Sequence, residues 1–412
     1  MKTSFNKTKL ENGLTIVTES ISGRASVHLG LHLLWGSRNE PEHMAGAAHL
    51  IEHMVFKGTD KRSALDIAME IESVGGEIGA STGKEVTSYT VQCLKKDLNL
   101  GVDILSDLCL NAKFTEDEFA KEKDVVLSEI DMSAENFEES VFDFAFKEIY
   151  GKHALGKPIL GTHESVEGIT CEELFELYKR VYSPQNMTLS ISGDVDHNEV
   201  IKTAKEFFKS NNSDLEHKPY KVSEGDFTAT TKFVQKNSEQ AHVLISFKAP
   251  SFPSEKRYLA YLANLALGGG MTSILYQKVR EDLGLAYSVY SYLQCFLKEG
   301  VLSIYVGTKP DKALEVVSLV LDEVEKLGKE GFSKEQLELY RQQLLGEILM
   351  GADDLDSRMN SIALNEQIFA EYRPPEKVAS EINEIDTDQM NRYFSDYFSE
   401  EPGVMILGPK AK

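Results

Sequence analysis

The sequence has no excess of basic residues, few cysteines and no long apolar run. Each of these absences argues against a class of protein. Its 412 residues carry a formal net charge of −22, so neither nucleic acid nor an anionic membrane is expected as a partner, because both would be repelled. No stretch of about 18 apolar residues occurs, which excludes an ordinary membrane-spanning helix. The N-terminus also lacks an apolar run, so a cytoplasmic protein is expected.

Cysteine is scarce and shows no recognisable spacing. The absence of a C-x-x-C pair argues against a metal or redox role, and the wide separation argues against a disulfide framework. Buried, reduced thiols are therefore expected at all four positions, Cys93, Cys109, Cys171 and Cys295.

The composition that remains is that of a folded, soluble protein with more than one domain. Hydrophobic residues make up 42% and charged residues 27% of the chain, which is typical of globular proteins and not of disordered ones. The length exceeds what one hydrophobic core of ordinary size accommodates.

The strongest chemical signal is the five-residue stretch His49-Leu50-Ile51-Glu52-His53. On a helix, His49 and His53 share one face and Glu52 lies beside them. Two imidazoles and a carboxylate are the parts of a hydrolytic zinc site, in the inverted order His-x-x-Glu-His. Paired histidines also occur on solvated helices, but the small and apolar flanks predict burial, and buried histidines need partners. We therefore predict a metal site.

A catalytic zinc ion usually has three protein ligands, so one more side chain is needed. A later predicted helix offers Glu122 and Glu129, which are seven residues apart and therefore lie on one face. Glu118 and Asp124 are less well placed neighbours on the same helix. Spacing alone does not choose among these carboxylates.

The chain contains an internal duplication. Residues 114–132 resemble residues 332–350, and residues 169–182 resemble residues 385–398; in both copies an apolar strand ending in glycine follows the second segment. Ser or Thr followed by acidic residues predicts a helix start in each copy of the first segment. Two homologous domains are predicted: residues 1–210, a linker over 211–227, and residues 228–412.

Alternating apolar runs between the helical segments predict strands in both halves. Each domain should therefore be α+β, with a largely antiparallel sheet covered by helices. His28 and His32 share a face of one predicted strand, but no carboxylate motif accompanies them, so a structural role is expected. No histidine follows His242, so the second domain cannot repeat the metal site, and one Zn²⁺ per chain is expected.

These features together resemble the M16 family of metallopeptidases, the pitrilysin or insulinase group, and within it the chains of about 400 residues related to mitochondrial processing peptidase. The resemblance extends over nearly the whole chain. It is carried by the internal repeat and by residues 36–38 (GSR), 49–59 (HLIEHMVFKGT), 158–162 (PILGT), 182–187 (YSPQNM), 268–273 (GGGMTS) and 285–288 (LAYS).

The resemblance implies roles for individual residues. The third metal ligand would be Glu129, which is 76 residues after His53, and Glu122 would support the site from behind the ligands. Arg280 and Tyr287 would stabilise the oxyanion of the reaction. Gly79, Ala80 and Ser81 would form the edge strand that binds the substrate, although family members commonly carry Asn where this chain has Gly79.

The function implied is that of a zinc-dependent endopeptidase with Glu52 as the general base. It would cleave peptides or unfolded segments inside a closed chamber, and the acidic composition favours basic substrates. Larger relatives contain four such domains, so a homodimer is expected. The alternative is a non-catalytic or scaffold subunit that binds peptides within a processing-peptidase-like complex.

Overall fold

The computed structural model describes residues 3–209 and 222–409, in which groups of strands are separated by groups of helices. The strands are β1 Thr3–Lys9, β2 Thr15–Ile21, β3 Ser26–Leu33, β4 Glu77–Thr82, β5 Thr87–Leu94, β6 Met187–Gly193, β7 Thr231–Gln235, β8 Ala241–Ala249, β9 Ala286–Cys295, β10 Gly300–Thr308 and β11 Gly403–Gly408. The helices are α1 Ala47–Val55, α2 Ala64–Glu72, α3 Leu98–Asn111, α4 Glu116–Glu135, α5 Phe137–Tyr150, α6 His163–Gly168, α7 Cys171–Val181, α8 His197–Phe207, α9 Arg257–Gly268, α10 Ala313–Glu330, α11 Lys334–Gly351, α12 Leu355–Phe369, α13 Pro375–Asn383 and α14 Thr387–Phe398. A π-helical turn, Tyr276–Asp282, precedes β9.

The strands form two sheets with the same topology, which confirms the predicted α+β fold and its duplication. The first sheet has the order β1-β2-β6-β3-β5-β4 and the second the order β7-β11-β8-β10-β9. In each sheet one neighbouring pair is parallel, β2 with β6 and β7 with β11, and the other pairs are antiparallel. The second sheet therefore repeats the first without a counterpart of β1.

The described residues fold into two compact units that are not contiguous halves of the chain. The first unit contains residues 3–130, 158–209 and 350–373; the second contains residues 131–157, 222–349 and 374–409. Packing thus divides the chain differently from the boundaries predicted at 210 and 228. Of the predicted linker, residues 211–221 lie outside the described residues.

The difference arises because the two halves exchange one helix. Helix α5, from the first half of the sequence, contacts β8 and β11 of the second sheet, whereas its repeat counterpart α12 contacts β2, β3 and β6 of the first sheet. The α5 interface is apolar and includes Phe146 and Ile149 of the helix together with Leu244 and Met405 of the sheet. A sequence repeat does not reveal such an exchange, because both helices retain a face that suits a sheet.

The first sheet has α12 on one face, and its other face packs against the hydrophobic core that supports α1. Leu29 and Leu31 of β3 are fully buried there together with Leu50 and Met54 of α1. Burial of this apolar face holds α1 in one orientation, since apolar side chains removed from water stabilise at about 25 cal/mol per Å². The orientation decides where the polar face of α1 points.

The residues predicted to be structural have ordinary surroundings. Cys93, Cys109 and Cys171 are buried free thiols and Cys295 is half-buried. His32 is buried and its Nε2 lies 2.9 Å from the Ser190 hydroxyl. Within residues 3–209 and 222–409, no helix combines the length and apolar character needed to cross a bilayer.

Candidate metal centre

Helix α1 begins at a closely packed turn that fixes its position. Gly46 precedes the helix with a φ of +96°, and a Cβ there would lie 2.6 Å from the Leu160 carbonyl oxygen. Only glycine fits such a backbone at such a distance. The Glu40 carboxylate accepts hydrogen bonds from the backbone N–H groups of Gly46 at 3.0 Å and Ala48 at 2.7 Å. The negative charge of Glu40 at this end of α1 also interacts favourably with the positive end of the helix dipole.

The polar face of α1 meets α4 in a cluster of three potential ligands. His49, His53 and Glu129 each offer one ligand atom, and these atoms all lie within 4.8 Å of one another. The Nε2 atoms of His49 and His53 lie 3.6 and 3.5 Å from the same Glu129 oxygen.

These separations fit a tetrahedral metal ion. With metal–ligand bonds of about 2.0–2.1 Å, tetrahedral geometry places two ligands roughly 3.4 Å apart. Two imidazole nitrogens and one carboxylate oxygen also match the chemistry of a catalytic zinc site. The residues present can therefore hold such an ion and leave one position open.

Glu122 occupies the position directly behind His53. Its buried carboxylate accepts a hydrogen bond from the His53 Nδ1–H at 3.0 Å and pairs with the Lys57 ammonium at 2.7 Å. This arrangement leaves the His53 Nε2 as the free lone pair, on the side where Glu129 lies. Glu122 thus lies next to His53, and the supporting role that the sequence resemblance implied for it stays a prediction.

His49 is kept neutral by its surroundings. Burial lowers the pKa of His49 to about 4, and the neighbouring His53 contributes in the same direction. A neutral imidazole is the form that binds metal. At neutral pH the His49 side chain therefore needs no deprotonation before it can act as a ligand.

Glu52 lies on the same helix face and is held by strand β4. The Thr82 hydroxyl donates a hydrogen bond to the Glu52 carboxylate. Burial raises the pKa of Glu52, and the Glu129 carboxylate adds to this, whereas the Thr82 hydrogen bond and His53 oppose it. A carboxylate with a raised pKa is better suited to accept a proton near neutral pH.

Strand β4 forms the edge of the first sheet beside this site. Among the described residues it pairs with β5 alone, so the backbone groups on its outer side remain available for another strand. Gly79, Ala80 and Ser81 lie in the middle of β4 and Thr82 at its end. A Cβ at Gly79 would have only an ordinary contact, 3.5 Å from the Thr90 hydroxyl, so nearby packing does not require a glycine there.

Arg280 and Tyr287 belong to the second unit, whereas the three residues of the cluster belong to the first. Arg280 lies on the π-helical turn with its guanidinium 4.9 Å from the centre of the Tyr276 ring, and 44% of its side chain is exposed. Tyr287 is the second residue of β9, and 61% of it is exposed. Their assignment to the reaction stays a prediction.

Three residues of the site were not identified from the sequence. Glu40 caps α1, Lys57 pairs with Glu122, and Thr82 holds Glu52. Lys57 follows His53 by four residues, a spacing that places two side chains on the same side of a helix. The sequence therefore already indicated that Lys57 could lie near His53. Glu40 and Thr82 carried no such signal, because their contacts depend on how distant segments pack.

Replacing Glu122 by glutamine should weaken metal binding by about 10- to 100-fold, because the neutral amide no longer stabilises the orientation and basicity of His53. Competition with a chromophoric zinc chelator measures the affinity. The matched control is Glu118→Gln, which changes the same charge on α4 at a carboxylate paired with Lys121 on the surface. Equal affinities in the two variants would contradict the role of Glu122.

Comparison with known families places both halves of the chain in one group. Residues 15–163 match the family described as insulinase, peptidase family M16, and residues 168–344 match the family described as the peptidase M16 inactive domain. The second match includes residues 243–344, a region that contains no histidine.

Individual proteins give the same result. The chain is 34% identical over 408 residues to an uncharacterized zinc protease of Mycobacterium leprae, covering 98% of this chain and 92% of that protein. It is 32% identical over 399 residues to the uncharacterized zinc protease YmxG of Bacillus subtilis, covering 97% of each. Among solved structures, a Helicobacter pylori protease has a TM-score of 0.92 at 20% identity, covering 99% of this chain and 100% of that one; this similarity concerns the fold.

Proposed function

Because the chain belongs to the M16 peptidase family, we propose that it is a zinc-dependent endopeptidase that hydrolyses peptides or unfolded segments of proteins. The observation that carries the proposal is the cluster of His49, His53 and Glu129 with Glu52 on the same helix face. A site that only stabilised the fold would use a fourth protein ligand and would need no base beside it.

Each residue of the metal centre then has a defined role in the proposed reaction. His49, His53 and Glu129 hold one zinc ion, and Glu122 with Lys57 keeps His53 in the required tautomer. Zinc, when bound, lowers the pKa of a water molecule towards about 7 and polarises a carbonyl group. Glu52 accepts the proton of the attacking water and can return it to the leaving amine.

Strand β4 supplies the binding surface for the substrate. An extended peptide can pair with the free edge of β4, which brings its backbone past Thr82 and hence past Glu52. Main-chain pairing of this kind tolerates many side chains. With the net charge of −22, basic peptides are the expected substrates.

The direct test is cleavage of an unstructured, basic, quenched-fluorescent peptide of about 20 residues, long enough to bind in an extended form. Cleavage should disappear after chelation and return with added zinc. Circular dichroism before and after chelation controls for unfolding. Hydrolysis that persists in the metal-free protein would contradict the proposal.

The active form is proposed to be a homodimer in which Arg280 and Tyr287 of one subunit act on the peptide bound by its partner. The support is that this pair lies in the second unit, whose described residues contain no metal-ligand cluster, and that a guanidinium and a phenol can both donate hydrogen bonds to an oxyanion. Each subunit would then need the other for full activity.

Mixing two inactive variants tests the dimer. A mixture of Glu52→Gln and Arg280→Ala subunits should regain activity, because one of the two sites in a mixed dimer has both an intact base and an intact Arg280. The control mixture, Glu52→Gln with Glu129→Ala, carries both lesions in the first unit and should regain none. Equal inactivity of the two mixtures would contradict action across subunits.

The alternative is a non-catalytic or scaffold subunit that binds peptides. Gly79 favours it, because the strand lacks the side chain that family members commonly use there. Intact Glu52 argues against it, since a scaffold needs no base at the metal. Peptide binding without turnover in the zinc-loaded wild type would support this alternative.

A further inference from the structure

We propose that the first unit contains a pocket beside strand β4 that accepts a tyrosine side chain of the substrate peptide. This inference rests on the proposed function and adds a side-chain preference to it. It comes from a comparison of the same place in the two repeated units.

The pocket is a cavity of about 270 Å³ on one face of the first sheet. Its volume equals that of roughly nine water molecules in the liquid. The side chains and backbone around it include those of His28, Glu77, Gly79, Thr90, Gln92 and Asp356.

The strand register explains why these residues face the same cavity. His28, Gln92 and Glu77 lie opposite one another on β3, β5 and β4, and Gly30, Thr90 and Gly79 form the next row on that face. Helix α12 covers this face further along β3, where Met359 lies against His32. Asp356, in the first turn of α12, closes the cavity from above the strands.

The second unit has the same arrangement of strands and helix. By strand order β8, β10 and β9 correspond to β3, β5 and β4, and α5 corresponds to α12. His28 and His242 each lie opposite the residue before the last glycine of the neighbouring strand, Ser192 in β6 and Leu407 in β11. Asp356 and Glu138 are each the second residue of their helix.

Two tyrosines fill the corresponding space in the second unit. Tyr290 and Tyr305 are paired across β9 and β10, with their rings stacked at 4.8 Å. The Tyr290 hydroxyl donates to the Glu138 carboxylate at 3.0 Å, and the Tyr305 hydroxyl lies 2.8 Å from His242 Nδ1. A carboxylate and an imidazole therefore hold two phenol groups there.

At this place the first unit keeps the carboxylate and the imidazole but has neither of the two tyrosines. Gly79 stands in the place of Tyr290 and Thr90 in the place of Tyr305. With small residues at both positions, the space remains open between Asp356 and the strands. The repeat thus shows which side chain this geometry accommodates.

A substrate peptide can supply the missing ring. A peptide strand added to the free edge of β4 would extend the row of Thr90 and Gly79, so its residue beside Gly79 points its side chain to the face with the pocket. Gly79 has no side chain to obstruct the ring. Because strand residues rise by about 3.3 Å, the pocket lies roughly 10 Å along β4 from Thr82, or about three residues from the scissile bond.

A phenol fits this pocket better than a basic group on the evidence of the repeat. Glu77 and Asp356 would also attract a guanidinium, but in the second unit the equivalent carboxylate accepts a phenolic O–H, and the ring that carries it stacks on a second tyrosine. The pocket is therefore assigned to tyrosine, and a preference for arginine would overturn the assignment.

Binding to the zinc-loaded Glu52→Gln protein tests the pocket without turnover. A set of fluorescent peptides carries one tyrosine, moved by one position from peptide to peptide, and at the best position it is replaced by phenylalanine, arginine or alanine. Tyrosine should bind at least about tenfold more tightly than alanine, from ring burial and a hydrogen bond to a charged acceptor. Phenylalanine should fall between the two.

Variants of the pocket are made in the same background. Asp356→Asn should abolish most of the difference between tyrosine and phenylalanine, and Thr90→Tyr should fill the pocket and abolish the preference over alanine. Asp353→Asn, whose exposed carboxylate lies near Arg24 outside the pocket, is the matched control and should retain both preferences. Thermal unfolding of each variant verifies that it is folded.

The outcomes separate this inference from the proposed function. Equal affinity for the tyrosine and alanine peptides, tighter binding of arginine, or no binding of any peptide would overturn the pocket. A tyrosine preference in binding together with no cleavage by the wild type would support the pocket and refute the peptidase.

Discussion

Glu52→Gln is expected to bind zinc as the wild type does and to lower kcat by a factor of about 10² to 10⁴, the usual contribution of a general base. The amide has nearly the same shape as the carboxylate and can still accept the hydrogen bond of Thr82, but it cannot take a proton from water. Zinc content is measured by metal analysis of the purified protein, and kcat by cleavage of the quenched-fluorescent peptide.

Two comparisons sharpen this experiment. Glu118→Gln changes the same charge on the surface of the same unit and should retain wild-type kcat and zinc. His53→Ala removes a ligand and should lose zinc and activity together. Unchanged turnover in Glu52→Gln would remove Glu52 from the mechanism, and loss of zinc from that variant would show that Glu52 acts on the metal site instead.

Arg358→Ala is expected to destabilise the first unit by about 3–5 kcal/mol, because it leaves a buried carboxylate without its counter-charge. Arg358, on the exchanged helix α12, makes two hydrogen bonds of 2.7 Å to Glu19 of β2, and Glu19 is only 1% exposed. The Tyr372 hydroxyl also donates a hydrogen bond to Glu19, at 2.5 Å. Urea unfolding monitored by circular dichroism measures the change.

The double variant Glu19→Leu with Arg358→Met separates the charge from the packing. Replacing a buried ion pair by apolar groups of similar volume is often neutral or stabilising, so the double variant should regain most of the lost stability. Lys312→Ala, which removes an exposed pair with Glu315, should leave the unfolding midpoint unchanged. A small loss in Arg358→Ala would mean that α12 is held mainly by its other contacts.

The chemistry of the site was predictable from the sequence because it is encoded locally. His49, Glu52 and His53 lie within five residues, and helical periodicity alone places them together. The apolar flanks predicted the burial that now lowers the pKa of His49. The duplication was also predictable, since repeated helix starts and strands survive in the sequence, and both sheets have the same strand order.

The choice between Glu122 and Glu129 shows where local information ends. Both lie on one face of α4, and periodicity treats them alike. In the folded unit Glu129 reaches the Nε2 atoms of both histidines, whereas Glu122 meets the Nδ1 of His53 and the ammonium of Lys57. The distinction depends on where α4 crosses α1, which helical periodicity does not contain; from the sequence, only the resemblance to a family implied it.

Local patterns along the chain thus indicated the candidate metal ligands His49 and His53 with Glu52 beside them, the class of fold and the repeat, because helix and strand periodicities relate residues a few positions apart. Only the tertiary structure decided that α5 and α12 are exchanged between the units, that Thr82 holds Glu52, and that a pocket opens in one unit where tyrosines fill the other. Each of these depends on contacts between segments far apart in sequence, and complementary shape and charge, not periodicity, select such contacts.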